Sequence, residues 1–271
     1  MEKILRIDMG AADGPKYKLE PVGEYAGLGG RALTSILVAK EVHPLCHALG
    51  AENKLIFSPG MLSGSAGAMT GRLSVGCKSP LTGTIKESNA GGQASQVLAR
   101  LGYAALILEG KPPGDDLYKI YINKDGVKIE VDNSLKLLDN YPLVARLREQ
   151  FGDKVAYITI GSAGERKLLA ASIACTDPQL RPTRHCGRGG VGAVMGAKKV
   201  KAIILDDAGM KMRPPKDPER YRDANRKFVE GLRKHPVTGE ALPAYGTNVL
   251  TNILNEAGGY PTYKPVLTAK K

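Results

Sequence analysis

Leu73-Ser74-Val75-Gly76-Cys77-Lys78-Ser79-Pro80 and Ala171-Ser172-Ile173-Ala174-Cys175-Thr176-Asp177-Pro178 open two stretches, Leu73 to Ala104 and Ala171 to Ala202, that align without a gap at an offset of 98 residues. Beyond these openings the pairs continue as Gly91/Gly189, Gly92/Gly190, Ala99/Ala197 and Ala104/Ala202, with Arg100/Lys198 conservative. Each copy reads as a small-residue strand, a proline turn, a polar loop, a Gly-Gly step, a short helix and an apolar strand (Ala104 to Leu108; Ala202 to Leu205). The spacing therefore predicts an α+β domain built of two related halves about a pseudo-twofold axis. A duplicated loop and helix start suits a ligand with two similar ends.

The loops say what those ends are. Gly-Gly at the mouth of a helix lets backbone N–H groups approach a ligand, and the first turn's unpaired N–H groups favour an anion, most often phosphate. Copy one has Gly71-Arg72 and then Lys86-Glu87-Ser88-Asn89-Ala90-Gly91-Gly92. Copy two has Arg184-His185-Cys186-Gly187-Arg188-Gly189-Gly190. Both place cations beside the glycines, where they can pair with phosphate oxygens. The plain alternative, tight turns with solvated arginines, is weaker for two loops in register than for one.

Asn53-Lys54-Leu55-Ile56, Thr70-Gly71-Arg72, Lys78-Ser79-Pro80-Leu81-Thr82-Gly83, Ser88-Asn89-Ala90-Gly91-Gly92, Gly161-Ser162-Ala163-Gly164-Glu165 and Gly187-Arg188-Gly189-Gly190-Val191-Gly192-Ala193-Val194-Met195-Gly196 together resemble the N-terminal domain of the tungsten-containing aldehyde ferredoxin oxidoreductase family. The resemblance runs from Ile4 to about Tyr263. It implies a tungsten or molybdenum ion between two pyranopterins whose phosphates share a magnesium ion, and oxidation of aldehydes to carboxylic acids with ferredoxin as electron acceptor. It further implies that Arg72 and Arg184 contact the phosphates, that Asn89 and His185 offer backbone carbonyls to magnesium, and that Ala90, Gly91 and Gly187 line the cofactor. His185-Cys186 departs from the family pattern, where two alanines are usual; a carbonyl ligand survives that change.

The resemblance also implies partners. Family members are about twice as long and carry the ligands of a 4Fe-4S cluster beyond the region matched here. Cys46, Cys77, Cys175 and Cys186 are scattered singly, whereas a cluster needs thiolates at short spacing. The reading is thus an incomplete enzyme, inactive as an isolated chain, that needs the remaining catalytic part of the enzyme and ferredoxin or an iron–sulfur subunit; a homodimer is compatible with it. Lys264 to Lys271 does not continue the family pattern, which suggests a truncated gene or a separate subunit. The runner-up is a non-catalytic pterin-binding subunit or gene fragment acting only with a partner chain, and a basic nucleic-acid-binding module comes third.

Composition supports a cytoplasmic globular protein. The chain has 271 residues, is 42% hydrophobic and shows neither a long apolar run nor a signal-peptide pattern. The net charge of +12 suits an anionic cofactor or an acidic electron carrier. With 3 phenylalanines and no tryptophan, the chain offers no base-stacking surface, which argues against nucleic acid.

Further elements follow from local pattern. Ile4–Met9 and Tyr17–Leu19 predict a hairpin, Ala32–Lys40 a helix, Asn53–Phe57 a strand, and Lys119–Asn123 with Val127–Val131 a second hairpin. Tyr141–Phe151 predicts a helix, and Val155–Ile160 a strand beginning the second copy. The Ser58–Gly71 loop is too poor in large residues to pack alone, so it is expected to wrap a ligand or another domain. Residues 1–210 are read as the pterin-binding domain and 211–271 as the start of a helical one. There Asp217 caps a helix with Pro218 at its first turn, and a shorter helix spans about Asn248–Ala257.

Two motifs are treated as decoys. Gly27-Leu28-Gly29-Gly30-Arg31-Ala32 and Gly187 to Gly192 satisfy a dinucleotide fingerprint, yet no hydrophobic strand leads into either. His185-Cys186, and His43 with Cys46 and His47, lack the further ligands of a zinc site.

Overall fold

A computed structural model of the protein describes residues 3–260. The readings at Pro261 to Lys271 lie outside the described residues. Chain packing divides the protein into two compact units, the first ending at Pro214 and the second starting at Pro215.

The first unit is written twice over far more than the ungapped stretch. Strands β1 (Lys3–Asp8), β2 (Lys16–Pro21), β3 (Leu55–Pro59), β4 (Leu73–Lys78), β5 (Ile85–Ala90) and β6 (Tyr103–Glu109) make one six-stranded sheet in the order β2-β1-β6-β3-β4-β5. Strands β7 (Tyr118–Asn123), β8 (Gly126–Val131), β9 (Ala156–Thr159), β10 (Ile173–Cys175), β11 (Arg184–Cys186) and β12 (Val200–Leu205) make a second in the equivalent order β8-β7-β12-β9-β10-β11. In each sheet the pairing of first and last strand, β1 with β6 and β7 with β12, is parallel and every other pairing antiparallel. The second copy thus begins at β7, ahead of the strand at Val155–Ile160 from which the sequence pattern started it.

Strand register also corrects the constant offset. Ser74 pairs with Asn89 and Ala174 pairs with His185, so Asn89 and His185 are equivalent and Ser74 corresponds to Ala174, not to Ser172. Hairpin loops of different length absorb the difference. The Arg184–Cys186 segment, read as loop, is an edge strand whose alternation hides in the sequence because only Cys186 is apolar and buried.

Helices explain why the inner strands are nearly all apolar. Helix α1 (Gly30–Glu41) sets Leu33, Leu37 and Val38 against Ile4, Ile56 and Ile107 on one face of the first sheet. Helix α3 (Asn140–Phe151) sets Leu143, Val144 and Leu147 against Tyr157 and Ile204 on one face of the second. Between them, α2 (Ala94–Arg100) and α5 (Val191–Ala197) share one core with Leu5, Phe57 and Leu106 of the first sheet and Ile120, Ile158 and Ile203 of the second. Both faces of the inner strands are covered, which calls for continuous apolar runs, while the edge strands β2, β5, β8 and β11 are more polar and more exposed. A short helix, α4 (Ser162–Glu165), packs on α5.

Cations at the ends of α2 and α5 tie the halves together. Lys198 donates to the carbonyls of Asn53 (2.6 Å) and Gly110 (2.9 Å), and Arg100 pairs with Asp207. The Ser58–Gly71 loop, expected to wrap a ligand or another domain, is bonded to other parts of its own unit. Ser63 bonds Ser95 of α2 at 2.7 Å, Gln96 accepts from Gly64 N, and Arg213 donates to the carbonyls of Met61 (3.0 Å) and Ser63 (2.8 Å).

In the second unit, α6 (Pro218–Lys234) begins as expected, with the Asp217 carboxylate accepting from Arg220 N at 3.0 Å. Short helices α7 (Leu242–Tyr245) and α8 (Thr251–Glu256) follow. Among the described residues no helix is long and apolar enough to cross a membrane.

Candidate functional site

The equivalent strands β5 and β11 bring the two copies of the polar loop to one place. Asn89, His185 and Gly187 line a single depression of about 360 Å³ with Lys86, Glu87, Ser88 and Arg188. A neighbouring depression of about 710 Å³ shares Glu87 and Asn89 and adds Arg72, Ser74, Gly60 and the first turn of α1, including Arg31. Contacts fix this junction: Arg188 N donates to Ser88 Oγ (3.2 Å), Ser79 Oγ donates to the Gly189 carbonyl (2.8 Å), and Gln93 N donates to the Thr176 carbonyl (3.0 Å).

Arg72 and Arg184 flank consecutive glycines. A Cβ on Gly91 would lie 3.5 Å from Arg72 Nη1, and a Cβ on Gly92 would lie 3.5 Å from Arg184 Cγ. Gly92 cannot carry that Cβ: its φ is +101° and the added atom would sit 2.5 Å from the Thr176 carbonyl oxygen. Arg72, Arg184, Arg188, His185 and Gly187 are exposed, whereas Ala90 is buried, so only its backbone faces the loop.

The arginines differ in how they are held. Arg72 Nε donates to Asn89 Oδ1, Asn89 Nδ2 donates to Ser74 Oγ (3.2 Å), and Ser74 Oγ donates to Glu87 Oε1 (2.7 Å). Arg31 Nε lies 3.4 Å from Glu87 Oε2. In the second copy, His185 Nδ1 and Ser172 Oγ are hydrogen-bonded at 2.9 Å, and Arg184 has no hydrogen-bond or ion-pair partner among the described residues. Glu87, Ser74 and Arg31 were not singled out as site residues in the sequence; only the pairing of β4 with β5, which sets Ser74 opposite Asn89, lets the Ser74 hydroxyl bond both Asn89 and Glu87. Asp177 was also missed. Its buried carboxylate accepts from Gln179 N (2.9 Å), Arg181 N (3.0 Å), Arg181 Nε (2.9 Å) and Thr183 Oγ1 (3.1 Å), bracing the turn that leads into Arg184.

The helix starts contribute less than the glycines suggested. Helices α2 and α5 are seven residues each, and Gln93 N, at the first of them, is already bonded to Thr176. Charge at the site comes from side chains: Arg72, Arg184, Arg188, Lys86 and Arg31 against the single carboxylate of Glu87. Such a set accepts a polyanion and leaves no carboxylate cluster for a bare cation.

The thiols do other work. Burial pushes Cys77 up to about 12, and contact with Cys175, together with burial, raises Cys186 well above its ordinary value, so both stay protonated core groups. His185 is exposed and Cys186 buried, on opposite faces of β11, so they cannot share a metal. His43 and His47 each accept a backbone N–H, from Leu45 and Leu49 at 3.2 Å, as turn caps. Of the fingerprint decoys, the first follows a single 3₁₀ turn, Gly23–Tyr25, and the second an antiparallel edge strand; neither is the parallel βα unit a dinucleotide needs.

Comparison with known proteins follows this geometry. The sequence profile of the aldehyde ferredoxin oxidoreductase N-terminal domain matches residues 4–207. A tungsten-containing aldehyde ferredoxin oxidoreductase of Pyrococcus horikoshii is 40% identical over 265 residues, covering 96% of this chain and 42% of the relative. One of Thermococcus kodakarensis is 38% identical over 264 residues with the same coverage. The chain therefore spans less than half the length of these relatives. Among solved structures, the active site complex BamBC of benzoyl coenzyme A reductase superposes with a TM-score of 0.78 at 27% identity, over 86% of this chain and 34% of that one.

Proposed function

Because the chain belongs to the aldehyde ferredoxin oxidoreductase family, matching its N-terminal domain, we propose that its first unit holds the phosphate side of a tungsten or molybdenum bis-pyranopterin. One observation carries this reading: two arginines from the duplicated copies flank consecutive glycines, Gly91 and Gly92, and Arg72 lines the depression that adjoins the one lined by Lys86 and Arg188. Arg72 and Arg184 would each grip a pterin phosphate, and the main-chain carbonyls of Asn89 and His185, on equivalent strands, would reach a magnesium ion between them. Gly91, Gly187 and the backbone of Ala90 would give the cofactor room. The fit is chemical: donor-only guanidinium groups, an open glycine edge and one carboxylate suit a doubly charged phosphate pair.

When bound, such a cofactor supplies the two-electron chemistry that converts an aldehyde and water to a carboxylic acid, two protons and two electrons. This chain's own residues bind and orient. The electron exit through a 4Fe-4S cluster to ferredoxin, and the groups that face substrate, would come from the part of the family's length that these residues do not span. We place the assembly in the cytoplasm, residues 1–210 as the cofactor-binding domain and 211–271 as the start of a helical one; a homodimer is compatible with this reading.

Cofactor retention tests the proposal. The chain is purified anaerobically from a pterin-replete host, and pterin fluorescence after oxidation and bound metal are measured. Arg72→Ala and Arg184→Ala should each lower retention about ten- to a hundred-fold, since a charge-assisted hydrogen bond contributes roughly 1.5–3 kcal/mol. Exposed Lys154 serves as the control. Retention in both arginine variants equal to that of Lys154→Ala sinks the reading. Aldehyde-dependent dye reduction by the chain alone should be absent, and turnover would overturn its assignment as one part of the catalyst.

A further inference from the structure

The carboxylate in an anion-binding depression is out of place on charge alone. Glu87 has a side chain only 10% exposed and would repel the phosphates that the surrounding cations attract. Its bonding explains it. We propose that Glu87 is a positioning residue that sets the direction of the hydrogen-bond chain holding Arg72; the inference rests on the phosphate-binding reading above.

Donor and acceptor inventory makes the argument. A guanidinium Nε–H only donates and an ionised carboxylate only accepts, so the chain between Arg72 and Glu87 has one permitted polarity. Ser74 must point its hydroxyl hydrogen at Glu87 (2.7 Å), which leaves its oxygen as an acceptor. The partner that meets it must donate, and that is Asn89 Nδ2 at 3.2 Å. The amide is thereby turned with Oδ1 toward Arg72 Nε. Without Glu87 the serine hydroxyl is free to donate to Asn89 instead. The amide then turns over, its NH₂ faces the guanidinium, and donor meets donor. With Nε occupied, Arg72 presents its Nη atoms beside Gly91, where a Cβ would lie 3.5 Å from Nη1. Arg31, 78% exposed, lies 3.4 Å from the other carboxylate oxygen and offsets part of its repulsion toward the ligand.

The sign of the effect decides the matter. Removing a carboxylate from an anion site strengthens anion binding if only charge counts; removing the polarity lock weakens it. Titration calorimetry with magnesium pyrophosphate on the full chain reads this directly. Arg72→Ala should weaken binding about ten-fold or more, and Glu87→Ala about three- to ten-fold. In the Arg72→Ala background Glu87→Ala should cost nothing further, because the two act through one group. Glu87→Gln keeps an acceptor for Ser74 and removes the charge, so it should bind as tightly as the parent chain or more tightly. Ser74→Ala, which breaks the same chain one link nearer Arg72 without touching the charge, should match Glu87→Ala. If Glu87→Ala binds as well as the parent or better, or its loss adds to that of Arg72→Ala, positioning is wrong while the arginine reading stands. If Arg72→Ala leaves binding unchanged, the phosphate site itself is misplaced and the positioning role falls with it.

Discussion

Arg72 and Arg184 flank the consecutive glycines Gly91 and Gly92, one from each half, yet the first is held through a chain of side chains and the side chain of the second has no partner among the described residues. The scaffold repeats and its side-chain support has diverged. Where the first half has Asn89 to accept from Arg72, the second has His185, whose Nδ1 is engaged with Ser172. One cation is held before any ligand arrives; on the phosphate-binding reading the other would be ordered by the ligand, at a cost in side-chain entropy. Identical topology does not make interchangeable halves, and each further pair of equivalent residues is a chance to test that.

The largest contrast lies in the glycines before α2 and α5. Both Gly92 and Gly189 have positive φ, +101° and +81°. An added Cβ at Gly92 would strike the Thr176 carbonyl at 2.5 Å, a backbone atom already bonded by Gln93 N. At Gly189 it would meet the stem of Lys86 at 2.3 Å, which can swing aside. Denaturant unfolding should show Gly92→Ala losing about 3 kcal/mol and Gly189→Ala about 1 kcal/mol, the latter being backbone strain alone. Equal losses would mean that the loops are more alike than their contacts.

Next come the cations that tie the halves. Lys198 is 1% exposed and donates to two carbonyls, while Arg100 makes a partly exposed pair with Asp207. Lys198→Met should cost about 2–3 kcal/mol by leaving buried acceptors unmet, and Arg100→Met under about 1 kcal/mol. Burial, with Lys54 adding to it, lowers the Lys198 pKa to about 8 against the partial opposition of Glu109. The folded state then binds fewer protons than the unfolded chain between about pH 8 and about pH 10.5, so this lysine makes stability rise with pH across that window. Stability of Lys198→Met should lack that part of the rise; an unchanged pH profile would show that Lys198 titrates normally.

The arginines themselves should separate under conservative replacement. Arg72 uses Nε on Asn89 and its Nη atoms toward the ligand, which a lysine cannot do, whereas Arg184 has no protein partner to lose. Pyrophosphate affinity should stay near the alanine level in Arg72→Lys but recover to within about three-fold of the parent in Arg184→Lys. Equal recovery at both sites would erase the distinction between a preordered and a ligand-ordered cation.

Much of this was legible in the residues. Hairpins, α1, α3 and the Asp217–Pro218 helix start are local patterns, and they fold where periodicity and turn residues put them. The glycine and arginine content of the two loops pointed to one site because each loop sets cations within a few residues of its glycines. Three things were not legible. The full extent of the duplication was hidden because hairpin loops of unequal length shift the offset between β4/β10 and β5/β11 in opposite directions. The order of the Ser58–Gly71 loop depends on Ser95, Gln96 and Arg213, partners distant in sequence. The role of Glu87 needs the pairing of β4 with β5, since nothing in a Lys-Glu-Ser-Asn run shows that a serine of another strand, opposite its fourth residue, bonds the side chains of its second and fourth.

The smallest expected effect is in the turns that close β4–β5 and β10–β11, and it separates the halves by pH. In the first half Ser79 Oγ accepts from Leu81 N (3.1 Å) and Thr82 N (3.2 Å), a cap with no charge to lose. The second half uses Asp177 in that place. Burial pushes its pKa up, but backbone and side-chain donors of Arg181, the Thr183 hydroxyl and Gln179 N outweigh it and hold the carboxyl at about 2. A carboxyl depressed from its ordinary value near 4 contributes stability at neutral pH that fades as pH falls from about 4 toward about 2. Hydrogen exchange after acid exposure should therefore show the amides of Gln179 and Arg181 losing protection over that range while those of Leu81 and Thr82 keep theirs. Asp177→Asn retains an acceptor without the titration, so its turn should be weaker at neutral pH and indifferent to acid. Parallel loss in both turns, or an acid response surviving in Asp177→Asn, would place the transition elsewhere and leave Arg184 braced by something other than this carboxylate.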